Sequence, residues 1–180
     1  MARWLSDAKA VDAAVYAAVA GSETPALDTA MRRLSRAADN SKLWFAIAAT
    51  LGLGGRRGRR AALRGLASLG LASAFANLVA KPLTSRRRPE RRELEELADR
   101  HVPMPETSSF PSGHTASAFA FATGAGAEVP ALSAPLRAVA TLVGYSRVHT
   151  GVHYPADALA GAFIGVSAAE AAGRLLRRRG

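Results

Sequence analysis

Five apolar stretches constrain the fold more than any other feature: 43–55 (LWFAIAATLGLGG), 65–80 (GLASLGLASAFANLVA), 115–127 (TASAFAFATGAGA), 138–145 (AVATLVGY) and 158–169 (ALAGAFIGVSAA). Each is rich in Ala, Leu and Gly and poor in β-branched residues, which favours helices over strands. None reaches the ~18 uncharged residues that make a spanning helix self-evident. Ala, Gly and Ser at close spacing nevertheless let helices approach one another inside a bilayer. Flanking polar residues lengthen such runs when they snorkel or lie inside a bundle. Two short amphipathic helices precede them, over 7–20 and 26–38, broken by GSETP; Arg32, Arg33 and Arg36 make the second a poor spanning segment. The expectation is an all-α, membrane-embedded helical bundle of about five to six helices in one domain over 1–180. Residues 1–40 would form the amphipathic N-terminal helices and 41–180 the helical core.

Charge placement adds a topological expectation. If the last four apolar segments each cross once, RRGRR (56–60), Arg137 and RLLRRRG (174–180) fall on one side. The positive-inside rule makes that side cytoplasmic. Lys81–His114 and 146–157 then share the other, extracytoplasmic side. Met1–Ala20 carries Asp7, Lys9 and Asp12 where a cleavable signal would be apolar, so internal segments are expected to hold the chain in the membrane. The net charge of +10 asks for an anionic partner. The absence of cysteine excludes disulfides, thiolate metal sites and Cys nucleophiles.

The connection 81–111 divides into KPLTSRRRPERR, the charged ELEELADRH and VPMPETSSFP. Its middle reads as a short solvated helix, and Glu93, Glu95 and Glu96 carry no assigned chemistry. Lys81 and Arg88-Pro89 head a cationic stretch on the side where positive charge is disfavoured. Arg presents a fork of donors that matches phosphate oxygens, and Lys adds a point charge. Binding of lipid headgroups explains the stretch equally well at this point.

Two further stretches converge on an anion. In FPSGHTASAFAF (110–121), Ser112 suits an N-cap, and the free N–H groups of the helix it opens hold anions readily. Gly113 allows close approach of a ligand to the backbone, and His114 stands at the mouth of that helix. In SRVHTGVHYPAD (146–157), Pro155 suits the first turn of a helix, with His153 just outside it and Asp157 in its first turn. A His oriented by a carboxylate keeps one nitrogen bare for attack. Arg147, ending the preceding helix, reaches the same anion, whereas His149 reads as structural or as a support to its neighbours.

Lys81, six residues, Arg88-Pro89; Pro111-Ser112-Gly113-His114; and Ser146-Arg147, five residues, His153, three residues, Asp157: this set resembles the three-part signature of the type-2 phosphatidic acid phosphatase family. That family shares its site with vanadium haloperoxidases and bacterial class A acid phosphatases. The resemblance implies an integral-membrane lipid phosphate phosphatase that forms a phosphohistidine, with no metal and no cofactor. It assigns His153 as nucleophile, Asp157 as its orienting carboxylate and His114 as general acid and base. Lys81, Arg88, Ser112, the Gly113 N–H and Arg147 are assigned to the phosphate oxygens. Implied substrates are phosphatidic acid, phosphatidylglycerol phosphate or a polyprenyl mono- or diphosphate, the alternatives being a polyprenyl-phosphoribose phosphate or the undecaprenyl diphosphate of cell-envelope synthesis. A bilayer is the expected partner, and the sequence does not fix an oligomeric state.

Three rivals remain. A vanadate-loaded haloperoxidase would use the same residues, but membrane burial argues against it. A non-catalytic binder of anionic lipid would need no oriented His. Nucleic-acid binding lacks aromatic platforms, at 6% aromatic residues.

Overall fold

The computed structural model describes residues 3–91 and 100–177. The expected helix through Glu93, Glu95 and Glu96 lies outside the described residues. Among the described residues seven α-helices follow in order: α1 (Arg3–Ala20), α2 (Pro25–Ala37), α3 (Lys42–Gly52), α4 (Gly55–Ala74), α5 (Gly113–Glu128), α6 (Ser133–His149) and α7 (Pro155–Arg177). Among the described residues there is no strand. A π-helical turn, Phe75–Ala80, continues α4 and delivers Lys81, whose N–H bonds the Ala76 carbonyl at 3.0 Å.

The helices run longer than their apolar cores. Helix α4 begins well before residue 65 and draws Arg56–Arg60 into its first turns, because Arg is a good helix former. Gly58 sits there at a close approach to α3: a Cβ would lie 2.1 Å from the Leu51 carbonyl oxygen. Helix α6 extends past 138–145 on both sides, and Pro135 in its first turn removes an N–H that has no helical partner anyway.

Helix α5 is the centre. It packs against α4, α6 and α7, and nearly all of Thr115–Gly126 is buried. Small residues make these contacts possible, since backbones must nearly touch. A Cβ at Gly161 would meet the Ser112 carbonyl at 2.5 Å, and one at Gly165 the Ala116 carbonyl at 2.4 Å. Those pairs advance together, so α7 runs parallel to α5. Gly124 meets Ser68 of α4 while Gly113 lies near Asn77, so α4 runs antiparallel to α5; Gly126 against Ser133 and Gly144 against Thr115 give the same relation for α6. The main core joins α3, α4, α5 and α6 around Trp44 and Phe121, whose rings lie 5.3 Å apart.

This alternation decides where function sits. The end of α4, start of α5, end of α6 and start of α7 meet at one pole, which gathers all three motifs. Arg56–Arg60 and Arg64 lie at the other, where Arg57 and Arg64 bond the Glu128 carbonyl and carboxylate, each at 2.8 Å. Helices α1 and α2 pack at the motif pole, against α6 and α7. Two helical stretches among the described residues, Gly55–Ala80 and Pro155–Leu176, are long and apolar enough to cross a membrane. Leu63, Leu78, Leu159 and Phe163 point outward from α4 and α7 and are exposed, as lipid-facing side chains are.

Candidate active site

The third motif is built by a turn. Helix α6 ends at His149, and Gly151 takes a left-handed φ of 70°, which a β-carbon would strain. The chain then doubles back, and the N–H groups of Val152 and His153 bond the Arg147 carbonyl at 3.1 and 3.2 Å. Arg91 fastens the turn by donating to the carbonyls of Gly151, Thr150 and Val102. His153 is thereby buried beside the start of α7.

Its imidazole lies between a carboxylate and a guanidinium. Nδ1 is 3.5 Å from Asp157 Oδ2, longer than an ordinary hydrogen bond, and Nε2 is 3.4 Å from Arg88 Nη1. Asp157 is fully buried and already well served. It accepts from Arg86 Nη1 at 2.8 Å, from the Tyr154 N–H at 2.8 Å and from Ser109 Oγ. Tyr154 and Ser109 both donate to Oδ2, the oxygen nearest His153, which is why Nδ1 stands at the longer separation. Burial is the main influence on His153 and lowers its pKa to about 4, the Asp157 carboxylate opposing and the nearby Arg88 and Arg147 reinforcing that shift. The imidazole is therefore neutral at pH 7, as a nucleophile must be.

Arg88 is aimed by the chain around it. Nη1 donates to the Val152 carbonyl at 2.6 Å, Nε to the Thr107 carbonyl at 3.0 Å and Nη2 to the Ser108 carbonyl at 3.2 Å. Arg147 is almost fully buried, with Nη1 bonded to Ser35 Oγ at 2.5 Å. Its Nε, like His153 Nδ1, is a buried nitrogen with no hydrogen-bond partner among the described residues. Leaving such a donor unmet costs about 1–3 kcal/mol, so an acceptor that arrives there gains accordingly.

The second motif opens α5. Ser112 is the N-cap, its Oγ accepting from the Thr115 N–H at 3.4 Å and hydroxyl at 2.9 Å. Its own N–H bonds the Asp157 carbonyl at 3.0 Å, which ties the mouth of α5 to that of α7. Lys81 Nζ bonds Asn77 Oδ1 at 2.9 Å and lies 3.7 Å from where a Gly113 Cβ would stand. Burial lowers the Lys81 pKa, and Arg88 and Arg147 add to the effect. All eight residues assigned from sequence therefore belong to one pole, Lys81 beside Gly113 and Asn77, and His153 between Asp157 and Arg88.

The N-terminal segment contributes groups that the sequence reading gave no role. His114 Nε2 pairs with Asp39 Oδ1 at 2.9 Å, and the same oxygen is 3.4 Å from Arg147 Nη1. That hydrogen bond holds the Asp39 carboxyl below its usual pKa, against burial. Asp12 of α1 bonds the Ala156 N–H at 2.8 Å and pairs with Arg86, so it braces the pair that supports Asp157. His149 is engaged elsewhere, with Asp28 Oδ1 at 2.7 Å from Nε2 and Tyr145 Oη at 3.3 Å from Nδ1. The sequence signal for these partners was weak: an Asp in an amphipathic helix ordinarily marks the solvated face.

Known proteins resemble this chain in sequence and in fold. Residues 61–179 match the PAP2 superfamily. Decaprenylphosphoryl-5-phosphoribose phosphatase of Mycolicibacterium smegmatis is 37% identical over 156 residues, covering 84% of this chain and 79% of the relative. The transmembrane PAP2-type phosphatidylglycerolphosphate phosphatase of Bacillus subtilis superposes with a TM-score of 0.74 at 23% identity, over 96% of this chain and 87% of that one. Aquifex aeolicus LpxE gives a TM-score of 0.69 at 23% identity, over 89% and 93%.

Proposed function

The chain belongs to the PAP2 superfamily, and on that premise we propose that it is a membrane-associated phosphatase of lipid phosphates working through a phosphohistidine on His153. The whole of 1–180 acts as one integral-membrane domain in the cell membrane, its motif pole on the extracytoplasmic side and the pole that carries Arg56–Arg60 inside. The observation that carries the reading is His153 itself: a buried, neutral imidazole with Asp157 on one nitrogen and Arg88 facing the other.

His153 Nε2 attacks phosphorus in line, forming a P–N bond as the P–O bond to the lipid breaks. His114 gives its proton to the departing oxygen. The imidazole becomes cationic, and the 3.5 Å gap between Nδ1 and Asp157 closes to a charge-assisted hydrogen bond. Water then attacks phosphorus while His114 takes its proton, the P–N bond breaks, and inorganic phosphate leaves. Arg88, Lys81, the unpaired Nε of Arg147 and the N–H groups opening α5 hold the equatorial oxygens, where charge must be stabilised. Asp39 yields its hold on Arg147 and His114 as the phosphate enters.

Among lipid phosphates, the phosphomonoester of a polyprenyl-phosphoryl sugar is the substrate class that the Mycolicibacterium smegmatis relative supports. The test is phosphate release from a panel of lipid phosphates in detergent with excess chelator. Metal-independent release, inhibited by vanadate, is expected. Strict dependence on a divalent ion would contradict the mechanism.

A further inference from the structure

A cavity of about 190 Å³ opens beside His114 at the junction of the 38–41 turn, α4 and α5. Its wall is dominated by neutral hydrogen-bonding side chains: Asn40, Ser41, Ser73, Asn77 and Ser117. The volume is below the roughly 300–1,000 Å³ usual for whole drug-sized ligands, so it takes one small moiety and not a lipid.

Its position says which moiety. In-line attack by His153 sends the leaving oxygen away from that imidazole and toward His114, the group that protonates it. The cavity shares His114, Lys81 and Gly113 with the phosphate site, so it receives the first atoms of the leaving group. Were those atoms the hydrocarbon of a prenyl chain, five polar side chains would lose water and gain nothing, and the ester oxygens of a glyceride would accept hydrogen bonds but donate none. Among the described residues, the side chains of Asn40, Ser41 and Ser117 form no hydrogen bond within the protein, so their capacity is unspent. Asn77 is fixed, its Nδ2 donating to the Ser73 carbonyl at 2.9 Å and its Oδ1 accepting from Lys81 at 2.9 Å. Asn40 and Ser41 both stand at left-handed φ, 53° and 60°, which turns that segment across the cavity. Strained backbone of this kind is retained where the surroundings require it.

We propose that this cavity is a sugar subsite, holding the pentose whose hydroxymethyl oxygen carries the scissile phosphate. It rests on the phosphatase reading above and adds the residues that select a sugar-bearing lipid over a sugar-free one. Ring hydroxyls pair with Ser73, Ser117, Ser41 and Asn40, while Asn77 remains the brace of Lys81.

Full-length protein in detergent micelles, with chelator present, is assayed on three substrates: a polyprenyl-phosphoryl pentose 5-phosphate, a polyprenyl monophosphate and phosphatidic acid. The wild type is expected to favour the first in kcat/KM by about tenfold or more. Ser73→Ala/Ser117→Ala should lose about tenfold on the sugar lipid and change less than about twofold on the other two. Ser41→Gly, which suits a positive φ, should show the same selective loss at smaller size. Absence of a wild-type preference, or equal loss on all three lipids, would overturn the subsite and leave the phosphatase reading standing. Release of phosphate from none of the three by wild-type protein would overturn that reading and the subsite with it.

Discussion

His149 and His153 stand in the same short segment, both buried and both facing an aspartate, yet their surroundings divide them. His149 has both nitrogens occupied, by Asp28 at 2.7 Å and Tyr145 at 3.3 Å, and Asp28 is in turn held by Thr24 and Arg100. That network ties α2 and α6 together, and Arg100 extends it to the carbonyls of Val19 and Ala20 at the end of α1. His153 is held at arm's length, with 3.5 Å to Asp157 and 3.4 Å to Arg88, and its carboxylate is positioned by other donors. A histidine that spends both nitrogens on the protein fixes structure. One whose carboxylate is oriented independently, and whose second nitrogen faces cations, has bonding capacity left for a phosphorus atom.

Removing the distinguishing group gives the largest effect. His153→Ala should reduce phosphate release by about 10⁴-fold or more with the thermal unfolding profile nearly unchanged, since the side chain makes no ordinary hydrogen bond in the free protein. Retention of a tenth of the wild-type rate would erase the contrast with His149. Asp157→Asn should cost about 10²–10³-fold, because the phosphorylated imidazolium loses its counter-charge. The pH profile carries a sign as well. Neutral His153 is required, and burial lowers its pKa to about 4. The acid limb of kcat/KM for wild type should therefore lie near pH 4, well below that of an ordinary imidazole. Asp157 opposes the lowering, so Asp157→Asn should move the limb to still lower pH; movement upward would contradict the assignment.

The comparison also shows what was legible in the sequence. Seven of the eight motif residues sit at or beside helix ends whose signals are local, with Ser112 as N-cap, Pro155 opening the helix after His153, and Lys81 and Arg147 closing theirs; Arg88 lies in the connection between α4 and α5. Alternating helix direction then carries those ends to one pole without any need to know the packing in detail. Helix existence was legible for the same reason, while lengths were not, because Arg56–Arg60 and Ser133–Arg137 join helices that their apolar cores alone would not contain. Asp12, Asp28, Ser35, Asp39 and Arg86 could not be read. Each acquires its partner only through long-range packing, of α1, α2 and the 38–41 turn at the motif pole or, for Arg86, also against Asp157 of α7, and before that contact each resembles an ordinary solvated residue.

Smaller effects sharpen the same contrast. Asp39→Asn removes a carboxylate that competes with phosphate for Arg147, so KM should fall about threefold. His114 would also lose the charge that favours its protonated form. The alkaline limb of kcat should then shift toward lower pH; kcat and KM measured across pH separate the two effects. A rise in KM with an unmoved limb would make Asp39 a phosphate-site support instead. His149→Phe should change kcat/KM by less than about threefold while costing about 2–4 kcal/mol of stability, because buried Asp28 loses a partner. Activity loss that exceeds the loss of folded protein would place His149 in the chemistry.

The central claim is a bond between phosphorus and one nitrogen. Rapid mixing of the protein with lipid phosphate, an alkaline quench that preserves phosphoramidates, and mass-spectrometric mapping of the peptides test it directly. The phosphoryl group should be found on His153 and nowhere in His153→Ala. Phosphoryl on any other residue, or sustained turnover with none on His153, would contradict the account.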